Sequence, residues 1–400
     1  MKKILYIGNF SFPVGNAAGK RVYANGKILK KLGYEVIFIG TDYDIQAITK
    51  LQDTKEEYDG FEFYNFPYPT KSISWINYNK TYKLLVNFIE EEIGISNIEM
   101  IIYYGSPTLS LFINKLIKLS RKNNIKVVSD CVDWLTVRTN NPVFNFVKWL
   151  DTTYQKTCLN KRVDGVIAIS KFLEGYYSKT GLKTVVIPPL SPQDCKEVVA
   201  NNKEYKVIVY AGIPFRTGQI IKDLSTLKDR IDKTIILLYE AKKRGAYFKF
   251  NIYGFTKAEY LKSIPSQKKY VVGLEDSIVF HGMKSNKEVT KEISRADFTI
   301  LIRDVTRDTT AGFPTKVSES ISCGTPVIVT RTSDLENYIV DGKNGILIDV
   351  ENCNQAIDEI TQVLLKNKID VFNMKQECIN SGTFSYEKYI YRLKEFVFSL

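Results

Sequence analysis

The sequence predicts two doubly wound α/β domains in tandem, each a parallel sheet with helices on both faces. Three observations predict it. Short apolar runs of strand length alternate with segments of helical periodicity along most of the chain. The series is interrupted by a Pro-, Ser-, Asn- and Lys-rich stretch from Pro188 to about Lys206, after which it starts again. The chain has 400 residues, which suits two domains of similar size better than one.

In chain order, Ile4–Ile7 is a strand-length apolar run, followed by a loop from Gly8 to Gly19. Val22 to Leu32 carries apolar residues at helical spacing, and Gly33 closes that helix. Val36–Ile39 and Met100–Tyr103 are the next strands, and Leu109–Ser120 is a helix leading into the strand Lys126–Ser129. Gly165–Ile169 and Thr184–Ile187 complete the first series, with Leu173–Tyr177 on a helix between them. The second series runs through Val207–Ala211, Lys249–Tyr253, Ser277–Phe280, Phe298–Ile302, Val327–Val329 and Gly345–Ile348. Gln355–Leu365 and Tyr386–Phe398 are closing helices. Ligands of such sheets bind at the carboxyl ends of the strands, and two domains place the expected site in a cleft between them.

With 44% hydrophobic and 25% charged residues, the composition is that of a globular protein with an ample core. No apolar run reaches membrane-spanning length, and Lys2-Lys3 leads straight into a strand, so no signal peptide is expected. Six cysteines without a CxxC pair favour reduced thiols in a cytoplasm over a zinc site or disulfides. The net charge of +12 suits an anionic substrate, an anionic membrane surface, nucleic acid, or a lysine-rich surface without a partner. No nucleic-acid-binding signature accompanies it, so nucleic acid is not an expected partner.

The segment Ala311 to Pro326 carries the most chemistry. Pro314 and Thr315 stand where a helix begins, with Thr315 expected to cap the free amides. Gly324 suits the left-handed residue that ends a helix, and Pro326 cannot continue one. A helix start presents unpaired N–H groups and the positive end of a dipole, which favours phosphate. Lys316 adds a full positive charge there, and Glu319 lies one turn further, within reach of a sugar hydroxyl.

These features resemble a family-4 retaining glycosyltransferase of the GT-B class, with two Rossmann-like domains facing each other across a cleft. The resemblance spans nearly the whole chain. It rests on Gly15 to Arg21, Lys31 to Val36, Asp164 to Ser170, Tyr210 to Gly212, Val279 to Gly282 and the Gly312-Phe-Pro-Thr-Lys316 segment. The last is similar to a branch acting in bacterial surface-polysaccharide assembly. The resemblance implies a nucleotide-diphosphate sugar as co-substrate, held by Gly282, Gly312, Phe313, Pro314, Thr315, Lys316 and Glu319. Glu319 matches the second glutamate of the family's Glu-x7-Glu motif, which binds the ribose. The first would stand at 311, where this chain has Ala311. Arg216 and Lys222 match the basic pair that stabilises the leaving phosphate, Lys222 within a Lys222-Asp223 pair. No metal and no other cofactor is implied, because GT-B enzymes compensate leaving-group charge with protein cations.

In the first half, the loop residues Gly15, Asn16 and Gly19 are expected to approach the sugar or acceptor, since glycine permits close backbone approach, and Arg21 either orients this loop, meets an acceptor phosphate or lies on the surface. Asp130 and Asp133 follow a strand, so they either grip acceptor hydroxyls or cap a helix. Asp42-Tyr43-Asp44 imitates an Asp-x-Asp metal motif that belongs to a different, single-domain architecture. Gly8 to Pro13 lacks GxGxxG, which argues against hydride chemistry. His281, the only histidine, reads as structural near the nucleotide. Phe112 to Lys126 and Phe144 to Arg162 are basic, aromatic stretches that read as solvated helix faces or as a contact with the inner leaflet, as in relatives with lipid-linked acceptors.

The expected organisation is an acceptor-binding domain over 1–190, a donor-binding domain over 205–383, and a helix over 384–400 packing back on the first domain. The expected activity is transfer of a sugar to a glycan or lipid-linked glycan acceptor, in the cytoplasm or on its membrane face. Two alternatives stand beside it: a nucleotide-sugar epimerase of the same fold, and a non-catalytic nucleotide-sugar-binding subunit.

Overall fold

The computed structural model describes residues 2–13, 15–69, 78, 80–105, 109–134, 142–191 and 197–400. Ser106, Pro107 and part of the expected linker lie outside the described residues. The chain divides into two compact units, one made of 1–190 with Ala311–Phe313 and Tyr386–Leu400, the other of Ser191–Thr310 with Pro314–Ser385.

The first unit is built on β1 (Lys3–Gly8), β2 (Glu35–Asp42), β3 (Glu56–Tyr58), β4 (Phe61–Pro67), β5 (Ile98–Tyr104), β6 (Lys126–Cys131), β7 (Gly165–Ala168) and β8 (Lys183–Val186). They form one eight-stranded sheet in the order β3-β4-β2-β1-β5-β6-β7-β8. All neighbours pair in parallel except β3 and β4. The central strands are near-continuous apolar runs because helices cover both faces of a parallel sheet; Ile4, Leu5, Tyr6 and Ile7 of β1 are all buried.

The β3–β4 hairpin is absent from the sequence-based element order. Its signal was there: Asp59-Gly60 sits between the strands with φ of 51° and 69°, the left-handed pair that a two-residue hairpin turn requires. The helix Ile390–Ser399 belongs to this unit and seals the edge strand β8, with Arg392 donating to the Val186 carbonyl at 3.3 Å. It lies so close to β7 that a Cβ at Gly165 would stand 2.6 Å from the Phe396 ring.

The second unit is built on β9 (Lys206–Ala211), β10 (Phe248–Tyr253), β11 (Ile278–Phe280), β12 (Phe298–Leu301), β13 (Val327–Thr330) and β14 (Gly345–Ile348). Its six strands run in the order β11-β10-β9-β12-β13-β14, all parallel. The chain leaves β9 toward β10 on one side and β12 toward β13 on the other. Their carboxyl ends therefore diverge and open a crevice, the switch point at which such sheets take ligands.

Candidate active site

Four segments meet at the β9–β12 switch point: the end of β9, the residues after β12, the residues ahead of the helix Ile231–Lys243, and the start of the helix Thr315–Ser322. Their shared centre is Asp229, a carboxylate the sequence reading did not select. It is buried, and accepts from Lys316 Nζ at 2.6 Å and from the Tyr210 hydroxyl at 3.0 Å on Oδ2. Its Oδ1 accepts from Arg303 Nε at 2.8 Å, and Arg303 Nη2 lies 2.7 Å from the same oxygen. Burial pushes the Asp229 carboxyl up, but Lys316 and Arg303 outweigh it and hold the group well below the usual carboxylate range. Burial, with the neighbouring Asp229 charge, pushes the Tyr210 phenol far up, so it stays a neutral donor.

Two full cations share this one carboxylate, and Glu319, which lines the same recess as Lys316, balances the second. Arg303 follows β12 and is pinned at its backbone by Thr330, whose hydroxyl accepts from Arg303 N and donates to its carbonyl, each at 2.9 Å. Lys316 crosses directly over Gly212: a Cβ there would meet Lys316 Cε at 2.6 Å. Glycine at 212 is thus what lets the lysine stem reach Asp229. A second network lies alongside, where Arg230 forks onto Asp232 at 2.7 and 2.9 Å and also reaches Asp304, which Lys233 joins at 2.6 Å. That network is charge-balanced and reads as structural.

The helix Thr315–Ser322 begins one residue earlier in role than the sequence reading has it. Pro314 is the N-cap and no side chain caps the helix; Thr315 is its first residue, and its carbonyl accepts from the Ser318 hydroxyl at 2.8 Å. Val317 N donates to the Pro314 carbonyl at 3.0 Å, so of the first turn the Thr315 and Lys316 amides are those a further acceptor could take. At the other end Gly324 takes φ +73°, the left-handed closure expected of it. Lys316 and Glu319, three residues apart on one helix face, line a shared recess of about 30 Å³ with Tyr210, Ala211 and Leu301. That is room for roughly one water, not a nucleotide, which would have to sit outside it.

Other expected residues lie elsewhere. Arg216 and Lys222 are exposed on the loop after β9, and the contacts of Asp229 include neither. Asp223 is not simply the partner of Lys222: its carboxylate caps a turn, accepting from the Ser225 amide at 3.0 Å and hydroxyl at 2.7 Å. Gly312, Phe313 and Pro314 are buried. Ala311 closes a five-residue helix, Arg307–Ala311, has no exposed surface, and its carbonyl accepts from the Ser170 hydroxyl at 2.6 Å. Gly282 follows β11 with φ +67°, and its carbonyl accepts from Gly254 N. His281 stacks on Tyr253 at 4.5 Å and pairs through Nε2 with Asn251 Oδ1 at 2.9 Å. Burial, with the Lys284 charge, pulls its pKa down against the opposing pull of Glu292.

In the first unit, the expectation that Arg21 and Asp130 meet an acceptor is corrected. Both are buried and consumed by each other: Arg21 donates from Nε at 3.0 Å and Nη2 at 2.7 Å to Asp130, and from Nη1 to the Ile187 carbonyl at 2.8 Å. The Tyr6 hydroxyl closes on Asp130 Oδ2, and Asn25 donates to Tyr6. Nothing of this pair is left for a sugar. Gly19 is likewise required by the chain itself, since a Cβ would stand 2.0 Å from the Ser11 carbonyl. Asn16 caps the first helix by accepting from Gly19 N at 2.8 Å, while Gly15 is exposed beside it. Asp133 is half-buried and accepts from the Trp134 amide at 2.8 Å. Asp42 Oδ1 accepts from Asp44 N at 2.8 Å, a local turn in place of a metal motif.

Residues 227–383 match the family Glycosyl transferases group 1. The match includes Asp229, Arg303, Lys316 and Glu319 and starts after Arg216 and Lys222. No curated protein sequence matches the chain significantly. Among solved structures, the sucrose-phosphate synthase of Thermosynechococcus elongatus is similar over 100% of this chain and 99% of its own, with a TM-score of 0.72 and 13% identity. HepE of Anabaena in complex with UDP is similar over 100% of both chains, with a TM-score of 0.63 and 13% identity. A Staphylococcus aureus TarM variant in complex with Fondaparinux, α-GlcNAc-glycerol and UDP is similar over 99% of both, with a TM-score of 0.61 and 13% identity. The likeness shows the fold: GT-B, with two Rossmann-like parallel-sheet domains.

Proposed function

We propose that the chain is a retaining glycosyltransferase that takes a sugar from a nucleotide-diphosphate donor. The observation that carries this reading is the cluster Lys316–Asp229–Arg303 at the β9–β12 switch point, beside a helix start with no side-chain cap and one helical turn from Glu319. A diphosphate fits the first amides of that helix and the Lys316 ammonium, and Glu319 is placed for a ribose hydroxyl. The match of residues 227–383 to glycosyl transferases supports it. So does the solution of the similar HepE structure with UDP and with UDP-glucose.

In this reading the cations act on charge that grows as the leaving phosphate departs, so they lower the barrier without a proton transfer. Arg216 and Lys222, both exposed, would join the phosphate when the donor is bound. The first unit would bind the acceptor, a glycan or lipid-linked glycan. The leaving phosphate then takes the acceptor proton, and configuration is retained without an enzyme nucleophile. Protein cations would compensate the charge in place of a metal.

Ala311 favours a second reading, a nucleotide-sugar-binding subunit without activity, because the fully buried methyl leaves no carboxylate for the donor sugar. A thermal-shift panel of nucleoside-diphosphate sugars tests the donor site, since a selective ligand raises Tm. Transfer from the stabilising donor to an acceptor then separates enzyme from subunit. No stabilisation by any donor sinks both readings.

A further inference from the structure

A pocket of about 440 Å³ opens in the first unit, where the chain leaves β2 and β4. That volume lies within the range usual for small-molecule sites, about 300–1,000 Å³. The two strand ends are fastened together there, Tyr68 N donating to the Asp42 carbonyl at 2.7 Å. The turn in which Asp42 Oδ1 accepts from Asp44 N leaves Tyr43 standing out, 60% exposed. Its ring stacks on that of Tyr68, with centroids 3.9 Å apart and planes 24° from parallel. One face of Tyr43 is thus covered and the other is open. Tyr78, which also lines the pocket, is buried, its ring packing edge-on against Phe66 at 5.8 Å and tilted against Phe112 at 5.7 Å. The pocket wall is therefore anchored in the core of the unit.

The lining names the ligand's chemistry. In a chain of net charge +12, no charged side chain is among the described residues that line this pocket, so an anion has nothing there to hold it. Polar groups are present without charge: the hydroxyls of Tyr43 and Tyr68, the Gln46 amide and the Thr81 hydroxyl. A hydrogen bond with Tyr68, with burial adding, pushes the Tyr43 phenol up to about 12, so it stays a neutral hydroxyl. An acyl chain would strip water from these groups and return no hydrogen bond. A pyranose suits them. Its C–H face carries the partial positive charge that the negative face of an aromatic ring attracts, and its hydroxyls pair with neutral donors and acceptors.

The pocket also lies to one side of the place where this sheet takes ligands. The chain leaves β1 toward β2 and β5 toward β6, in opposite directions, so the switch point of the first sheet is between β1 and β5. From β1 to β4 is two strand spacings, about 10 Å, roughly the length of two linked pyranose rings. We propose that the pocket is a subsite for an oligosaccharide acceptor, in which an uncharged pyranose stacks on Tyr43 while a sugar roughly two units away is glycosylated. The proposal rests on the transferase reading and adds that the acceptor is longer than a monosaccharide and neutral at this position. The pocket belongs to the first unit and the Asp229 cluster to the second, so glycan binding and nucleotide-sugar binding are separable readouts.

The test is binding of the full chain, without donor, to an immobilised panel of neutral glycosides of glucose, galactose, mannose, rhamnose and N-acetylglucosamine, from monosaccharide to tetrasaccharide. The wild type should retain a tri- or tetrasaccharide and bind the corresponding monosaccharide about tenfold or more weakly. Tyr43→Ala should lose about tenfold on that glycan, the scale of one aromatic contact, whereas Tyr43→Phe should keep most of the binding. Because Tyr43 is exposed, the thermal unfolding of Tyr43→Ala and its Tm rise with nucleotide sugars should match the wild type. In turnover, Tyr43→Ala should raise KM for the oligosaccharide acceptor and leave kcat unchanged. Retention of no neutral glycan by the wild type overturns the proposal, as does equal retention by Tyr43→Ala or a preference for uronate- or sulfate-bearing glycans. Binding of alkyl glycosides that follows the chain length and not the number of sugars also overturns it, since the pocket then takes a lipid tail. Failure of the donor reading is seen separately: glycan retention that depends on Tyr43, with no Tm rise from any nucleotide sugar, keeps the sugar site and removes its role as an acceptor site.

Discussion

Lys316 Nζ lies 2.6 Å from Oδ2 of Asp229, a residue 87 positions earlier in the chain, and the other carboxylate oxygen is taken by the buried Arg303. One carboxylate thus sets the position of two cations. Asp229→Asn keeps the shape and removes the charge, leaving Arg303 buried beside a neutral amide. Loss of one partner of a buried pair costs about 3–5 kcal/mol. Urea unfolding should show that loss, and Asp229→Asn, Arg303→Met should regain part of it. A single variant as stable as the wild type would mean that solvent, not Asp229, satisfies Arg303.

Lys316 is the lysine held at the switch point, whereas Arg216 and Lys222 are exposed. Lys316→Ala should lower sugar transfer by about 10²–10³, the scale of removing one preorganised charge-stabilising group. Arg216→Ala and Lys222→Ala should show a smaller loss, mainly in kcat, if they close on the phosphate only during turnover. Steady-state kinetics of the three variants, each checked for folding by circular dichroism, orders the cations. Full activity of Lys316→Ala removes that lysine from the mechanism.

Ala311 has no exposed surface and is anchored through its carbonyl to Ser170. Ala311→Glu must overpack the site and bury a carboxylate, a cost of about 3 kcal/mol or more. It should therefore lower Tm and weaken donor binding. Should the glutamate variant melt with the wild type and bind donor more tightly, the pocket at 311 has room that the structure denies it.

Arg21 and Asp130 should behave as a structural pair. Arg21→Ala is expected to destabilise the first unit by about 3–5 kcal/mol, because Asp130 is then left buried and unpaired. Arg21→Met, Asp130→Leu should be closer to the wild type in stability. The apparent KM for acceptor should stay unchanged in whichever variant remains folded. A KM increase in the stable double variant would return the pair to the acceptor site.

His281 is held neutral, its pKa lowered by burial and by Lys284. The unfolded chain then binds the proton more readily than the folded one, so stability rises with pH between the depressed folded value and the ordinary value near 6.5. The contribution is complete above that ordinary value and is lost as pH falls. His281→Gln keeps a donor toward Asn251 and should flatten this part of the profile, read from urea midpoints between pH 5 and 7.5. An unchanged slope would assign the pH dependence to other groups.

Much of this fold was legible locally. Strands such as Ile4–Ile7 and Val327–Val329 announce themselves because both faces of a parallel strand must be apolar. The β3–β4 hairpin was missed, although Asp59-Gly60 between Tyr58 and Phe61 was its mark, because β3 has only three residues, two of them Glu56 and Glu57, and β4 interrupts its apolar run with Glu62 and Asn65. Lys316 and Glu319 were recognisable as a pair since three residues along a helix bring side chains to one face. Arg303 and Asp229 carried no such mark. Each stands among ordinary charged residues, in Arg303-Asp304 and Lys228-Asp229-Arg230, with no short-range spacing between them.

The sequence by itself therefore determined most of the elements, their parallel arrangement in two sheets and the helix start that bears Lys316, because periodicity, turn residues and caps act over a few neighbours. Only the tertiary structure decided which charges meet. It sealed Arg21 onto Asp130 inside the first unit, gathered Lys316, Arg303 and Tyr210 around Asp229 in the second, and turned the apolar side of Pro142–Thr157 outward. Those outcomes depend on which strand ends the crossovers bring together and on where burial strips water from a charge. Neither is written in any window of neighbouring residues.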